Sequence, residues 1–417
     1  MQLAGPVALE LILGRSGISQ QSMGFTARAT PHKTGDLITY AGEGHLMTFA
    51  PTGGGKTSGP VICNALTHRG QLIVIDIKGE IHAATADARR KMGQEVHVLD
   101  MRDKNPLPGS LNPFDLVMSG GTDHAAIGRS FAAELIERGA GERDRFWNDW
   151  AETMIAGATA WMLADTPPEE RRIGALYDLF THEDTNYKIA TMMDGELCVR
   201  NRAARAAFSS YLQLPSENTR PSVLGSTVTH LRLFDSDMMR RLTDTSSMDI
   251  EALIAGEPMS LYIIVPPMRL TAYRPVLRIW LSSLILAMTQ RAGPPAERTL
   301  MLCDEMGNLG RMDVLLTAAT LMRSWGLTLW TFWQNVAQLQ IYGAQANTLV
   351  DNMGVVQAFG VKNLRMAQDL ANIIGGISAD RLMRMKADEQ LLLIDGKTTL
   401  CKQARYYSDA LFTGKLA

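Results

Sequence analysis

The chain has 417 residues, 46% hydrophobic and 20% charged, an ordinary globular composition that excludes a disordered chain. At roughly 150 residues per domain, that length suggests two or three domains. Forty-one Lys and Arg against 43 Asp and Glu leave a net charge of −2, so bulk charge gives no support to a nucleic-acid binder. The longest apolar runs, about 7 to 10 residues, fall well short of the roughly 20 that cross a bilayer. Neither a signal peptide nor a membrane anchor is expected. The cysteines Cys63, Cys198, Cys303 and Cys401 stand far apart with no C-x-x-C pair. That argues against a disulfide framework or zinc site and for a reducing cytosol. The 24 Met read as core filler.

Residues 1–36 read as a lead without a transmembrane helix. His45 to Phe49 reads as a strand, followed by a glycine-rich loop and a helix to about Leu66. Gln71 to Asp76 and Val96 to Leu99 are apolar, β-branched runs of the kind buried in parallel sheets, with helical composition from Ile81 to Met92 between them. That alternation implies βαβ units. From residue 116 to 250 the strand runs stop and apolar residues recur at helical spacing (Phe131, Leu135; Trp147, Trp150, Met154; Phe208, Leu212). This stretch reads as an inserted, mainly helical domain, with 14 basic against 20 acidic residues. Strand signals resume at Ser260 to Val265, Thr299 to Cys303, Leu327 to Phe332 and Gly354 to Phe359. Two final runs flank Asp395-Gly396, a hairpin signature. The expected fold is α/β: a mostly parallel sheet built from residues 37–115 and 251–417, interrupted by an all-α domain.

Residues 50–57, Ala-Pro-Thr-Gly-Gly-Gly-Lys-Thr, match the P-loop spacing except that Ala50 replaces its first glycine. A chance glycine-rich turn would also fit eight residues. The strand before and the helix after supply the context that phosphate binding requires. Phosphate needs many short donors, and glycines let backbone N–H groups converge on it at a helix N-terminus. Thr52, Gly53, Gly54, Gly55, Lys56, Thr57 and Ser58 are therefore the expected nucleotide-binding residues. Lys56 reaches the β- and γ-phosphates, and the Thr57 hydroxyl is a natural Mg²⁺ ligand.

Leu300 to Glu305 is an apolar strand ending in two carboxylates. With a P-loop present, Asp304 is assigned to the metal and Glu305 to the general base that polarises the attacking water. Gln334, just past the strand from Leu327, is placed to touch both γ-phosphate and water, although a plain surface amide fits the same spacing. Arg311 and Arg323 compete for the role of an arginine reaching a neighbouring subunit's site, against a solvated charge for either. Arg323 is the one assigned. The 248 residues between Lys56 and Asp304 exceed what a compact P-loop core requires, which again points to an insertion.

Beyond these motifs the sequence resembles the type IV secretion coupling protein family, the ATPases that deliver DNA or protein to conjugative and secretion channels. The resemblance includes Ile75-Asp-Ile-Lys-Gly-Glu80, Leu111-Asn-Pro-Phe-Asp115, Phe146-Trp147, the run from Asp304 to Gly310, the run from Gln334 to Gly343, and Tyr406-Tyr407. It implies a RecA-like nucleotide domain with ATP and Mg²⁺, and a homohexameric ring whose interfaces hold the ATP with an arginine from the neighbour. It also implies a helical insertion that recruits substrate, and DNA or secreted proteins, a relaxase and channel components as partners. Family members commonly begin with two membrane-spanning helices and none is expected in this sequence, so either an anchor has been truncated or this is a soluble relative that reaches the secretion apparatus through partners. The expected location is therefore cytoplasmic, at an inner-membrane apparatus reached through partners. A cytosolic DNA translocase unrelated to secretion and a nucleotide-organised adaptor with incidental turnover are the rival readings.

Overall fold

A computed structural model describes residues 10–17, 35–102, 109–118, 123–136, 145–194, 199–215 and 217–412. Cys198 lies outside them. The chain divides into two compact units. One holds residues up to Val98, Ala255–Pro267 and Arg291 onward; the other holds Leu99–Ile254 and Met268–Gln290.

The first unit is built on one sheet. Its strands are β1 (Leu11–Arg15), β2 (Leu37–Tyr40), β3 (His45–Phe49), β4 (Leu72–Asp76), β5 (Glu95–Asp100), β6 (Met259–Ile264), β7 (Thr299–Cys303), β8 (Leu327–Trp333), β9 (Met353–Phe359), β10 (Glu389–Ile394) and β11 (Lys397–Lys402). They lie in the order β2-β1-β11-β10-β9-β3-β8-β7-β4-β6-β5. From β9 through β6 the pairings are parallel, and β3 sits between β8 and β9. Every residue of β3, β4, β6, β7 and β8 is buried. That explains why these strands read as unbroken apolar runs: a parallel sheet covered on both faces has no polar face to alternate with.

β10 pairs antiparallel with β9 and with β11, closing the hairpin across Asp395-Gly396. Asp395 takes φ 47° and Gly396 φ 76°, the left-handed pair that a tight two-residue hairpin needs. β1 then pairs antiparallel with both β11 and β2. The residues expected to form a lead thus supply a strand to the first unit's sheet. Arg15 fastens this edge by a two-pronged ion pair to Asp409 at 2.7 and 2.8 Å.

Among its described residues the second unit is helical apart from the end of β5. Its longest helix, Phe146–Asp165, buries Ala151, Met154, Ile155, Ala158 and Leu163, the apolar spacing visible in the sequence. Asp123 and Asn201 cap the starts of His124–Leu135 and Arg202–Leu212 by accepting backbone N–H bonds, so those helices begin where a capping residue occurs. Helix Leu270–Met288 also belongs to this unit. It is held there by Arg278 to Glu134 at 2.9 Å and by the Trp280 indole N–H to the Leu111 carbonyl at 2.8 Å. The unit boundaries therefore differ from residues 116 and 250, because a helix that follows β6 in sequence packs with the helical unit. No helix among the described residues is long and apolar enough to cross a membrane.

Candidate nucleotide site

The carboxyl ends of the parallel strands, where open α/β sheets bind ligands, carry the predicted chemistry. The phosphate loop leaves β3 there, Asp304 and Glu305 leave β7, Gln334 leaves β8 and Asp76 ends β4. The Ala50 N–H donates to the Trp333 carbonyl at 2.9 Å, which ties the start of the loop to β8. Gly53 and Gly55 take φ of 77° and 98°, a left-handed backbone that side chains rarely adopt, so the loop can curl only with glycine at these points. The Lys362 ammonium holds the turn from outside, donating to the Thr52 carbonyl at 3.0 Å. The helix after the loop is interrupted at Gly59-Pro60, where Gly59 has φ −98° and ψ −109°, and resumes from Ile62.

Lys56 is buried, and its ammonium lies 2.9 Å from Glu305 Oε1. The Gln334 side-chain N–H donates to the other Glu305 oxygen at 2.8 Å. Thr57 Oγ1 approaches Asp304 Oδ2 at 3.4 Å. Glu305 sits at φ 62°, ψ 44°, an unusual backbone for a glutamate that turns its carboxylate toward the loop. Lys56, Thr57, Asp304, Glu305 and Gln334, spread over 279 positions, are thus brought together. Lys56, Thr57, Asp304 and Glu305 border a cavity of about 710 Å³, which the loop residues Thr52, Gly53, Gly55 and Ser58 also line, and Gln334 joins them through its bond to Glu305.

Burial pushes the Asp304 carboxyl up to about 6; Lys56 opposes the shift, and the neighbouring Glu305 and Asp76 charges add to it. Its Oδ1 is buried without a hydrogen-bond partner. A carboxylate placed this way carries a cost that a cation would remove. The donor set fits Mg²⁺, which takes one or two protein oxygens and completes its shell with phosphate oxygens and water. Thr57 Oγ1 and Asp304 are the residues that would hold it. Among the described residues no cluster of three or more His, Cys, Asp or Glu forms an all-protein metal cage.

Arg323 is not brought to this site. It lies before β8, at the opposite end of the parallel strands, with its side chain exposed. Arg311 is engaged elsewhere, with Asp313 at 2.9 Å and Gln345 at 2.7 Å. Two groups that motif spacing did not single out do line the cavity, Lys78 and Arg405. The signal for Arg405 was its place directly before Tyr406-Tyr407.

A family model described as type IV secretory system conjugative DNA transfer matches residues 13–380. The chain belongs to this family. Among its relatives, protein VirD4 of Agrobacterium fabrum is 27% identical over 296 residues, covering 70% of this chain and 43% of VirD4. Conjugal transfer protein TraG of Escherichia coli is 24% identical over 404 residues, covering 88% of this chain and 60% of TraG. The chain therefore spans less than two thirds of these relatives' length. Among solved structures, the plasmid coupling protein TrwB in complex with an ATP analogue superimposes with a TM-score of 0.65 at 14% identity, covering 87% of this chain and 85% of TrwB. Another TrwB structure holds ADP and Mg²⁺. At that identity the likeness establishes the coupling-protein fold, an α/β nucleotide-binding architecture with a mostly parallel sheet.

Proposed function

We propose that this family member is an ATP-hydrolysing coupling protein that recruits DNA or protein substrates and delivers them to a type IV secretion channel. The observation that carries the reading is the convergence of a phosphate loop and an acid pair on one cavity, with Gln334 bonded to the glutamate of that pair, in a chain whose family serves conjugative DNA transfer. ATP is the substrate and Mg²⁺ the cofactor, as the TrwB complexes and the unpartnered Asp304 oxygen support. The N–H groups of the loop bind the phosphates, and Lys56 exchanges Glu305 for the γ-phosphate. Once released, the Glu305 carboxylate accepts a proton from the attacking water, oriented by Gln334. When bound, Mg²⁺ neutralises phosphate charge alongside Thr57 and Asp304.

The same reading assigns the assembly. Subunits form a homohexameric ring, and Arg323, remote from its own site, serves the neighbour's. The helical unit recruits cargo, a relaxase among it, and channel components hold the ring at the inner membrane. The test is ATPase activity of the purified chain with single-stranded DNA, double-stranded DNA or a cognate secreted protein. Stimulation by any of the three is expected, together with loss of all turnover in Lys56→Ala. Turnover that no cargo stimulates would refute the coupling role and leave an adaptor.

A further inference from the structure

The segment after β11 does more than end the sheet. It runs beside the phosphate loop: the Tyr406 N–H donates to the Ser58 carbonyl at 3.1 Å, and the Cys63 thiol meets the Ala404 carbonyl at 3.7 Å. Between these contacts Arg405 lies against the loop itself. A Cβ added to Gly55 would stand 3.3 Å from Arg405 Nη2 and 3.4 Å from its guanidinium carbon. The arginine borders the same cavity as Lys56 and the acid pair.

The cavity's cations differ in what they hold. Lys56 is committed to Glu305, and Lys78 lies 3.8 Å from Glu80. Arg405 donates only to neutral acceptors among the described residues: Tyr407 Oη at 2.8 Å, and the Ala387 carbonyl and Gln403 Oε1 at 3.2 Å each. Its charge has no carboxylate within ion-pair distance in that set. A planar guanidinium packed on a glycine of the phosphate loop and bordering the cavity is matched chemically to a phosphate oxygen. Lys56 and the acid pair define the γ-phosphate and metal end of the cavity. Arg405 is beside Gly55, in the glycine-rich turn whose N–H groups cradle the α- and β-phosphates in a P-loop.

We infer that Arg405 is a second phosphate ligand, supplied by the chain to its own site and bound to the α- and β-phosphates of the nucleotide. This rests on the nucleotide reading above and adds to it. Because the α- and β-phosphates are shared by ATP and ADP, Arg405 holds both nucleotides, whereas Glu305 and Gln334 address only the γ-phosphate and water. The C-terminal segment is thereby coupled to occupancy of the site rather than to hydrolysis.

The experiment titrates fluorescent MgATP and MgADP against the full chain, Arg405→Gln, Arg405→Met and Lys56→Ala. Both Arg405 variants should bind each nucleotide roughly tenfold more weakly (about 1.4 kcal/mol), with the ATP-to-ADP ratio unchanged. Methionine keeps an apolar stem over Gly55, so it carries the test if the glutamine variant fails to fold. Wild-type affinity in the variants for both nucleotides overturns the inference, as does a loss confined to ATP. If the unaltered chain binds neither nucleotide, the nucleotide reading falls too, which separates the two failures.

Discussion

Replacing Glu305 by glutamine tests the centre of the mechanism with a minimal change of shape. The carboxylate accepts from the Lys56 ammonium at 2.9 Å and the Gln334 amide at 2.8 Å, and glutamine retains an oxygen for one of these donors. What is lost is charge. At an effective dielectric near 20, opposite charges at this spacing attract by roughly 6 kcal/mol before desolvation is counted. Nucleotide binding must compete with that attraction for Lys56, so Glu305→Gln should bind ATP as tightly as the unaltered chain or more tightly. Hydrolysis should fall by roughly 10² to 10⁴, the usual contribution of a general base, or about 3 to 5 kcal/mol of barrier. Single-turnover hydrolysis of radiolabelled ATP, with fluorescent nucleotide binding on the same samples, measures both quantities. Turnover within threefold of the unaltered chain would refute the assignment of the base, and weakened binding would refute the competition for Lys56.

Gln334→Ala should keep nucleotide affinity and lower the single-turnover rate by roughly tenfold, about one hydrogen bond's worth; an unchanged rate would make Gln334 a bystander. Arg15→Ala strands the buried Asp409 carboxylate, whose ionisation Arg15 sustains against the upward push of burial, holding it below the usual range. A cost of about 3 to 5 kcal/mol is expected, visible as lost hydrogen-exchange protection in β1 and β11; wild-type protection there would contradict it. Burial lowers His45 and His68 from 6.5 to about 4. Both fold as neutral rings, so their stabilisation is complete above pH 6.5 and is lost as pH falls toward 4. Each is worth up to about 3 kcal/mol, and a urea midpoint that stays flat between pH 7 and 4.5 would exclude the effect.

Much of this architecture was legible because burial writes itself into composition. Strands covered on both faces must be apolar throughout, so β3, β4, β6, β7, β8 and most of β9 stood out. The phosphate loop and the acid pair were legible because phosphate chemistry fixes their spacing and their strand-end context. β1 was not legible. It is five residues long, contains Gly14 at a break in its register with β2, and has a partner nearly 390 residues away, none of which local periodicity can express. Helix Leu270–Met288 follows a nucleotide-domain strand, and only packing assigns it to the helical unit. Arg405 escaped for the same reason as β1, since its neighbour Gly55 is near in space and remote in sequence.

The placement of β3 has a consequence for synthesis. This strand leaves the ribosome before both of its sheet neighbours, β8 and β9, which are translated roughly 280 to 310 residues later. At about 5 to 20 residues per second, the nascent chain carries an unpaired apolar ribbon for roughly a quarter of a minute to a minute. The interval for which this apolar strand lacks its sheet partners is therefore set by strand order, and translation slowed anywhere between β3 and β9 lengthens it.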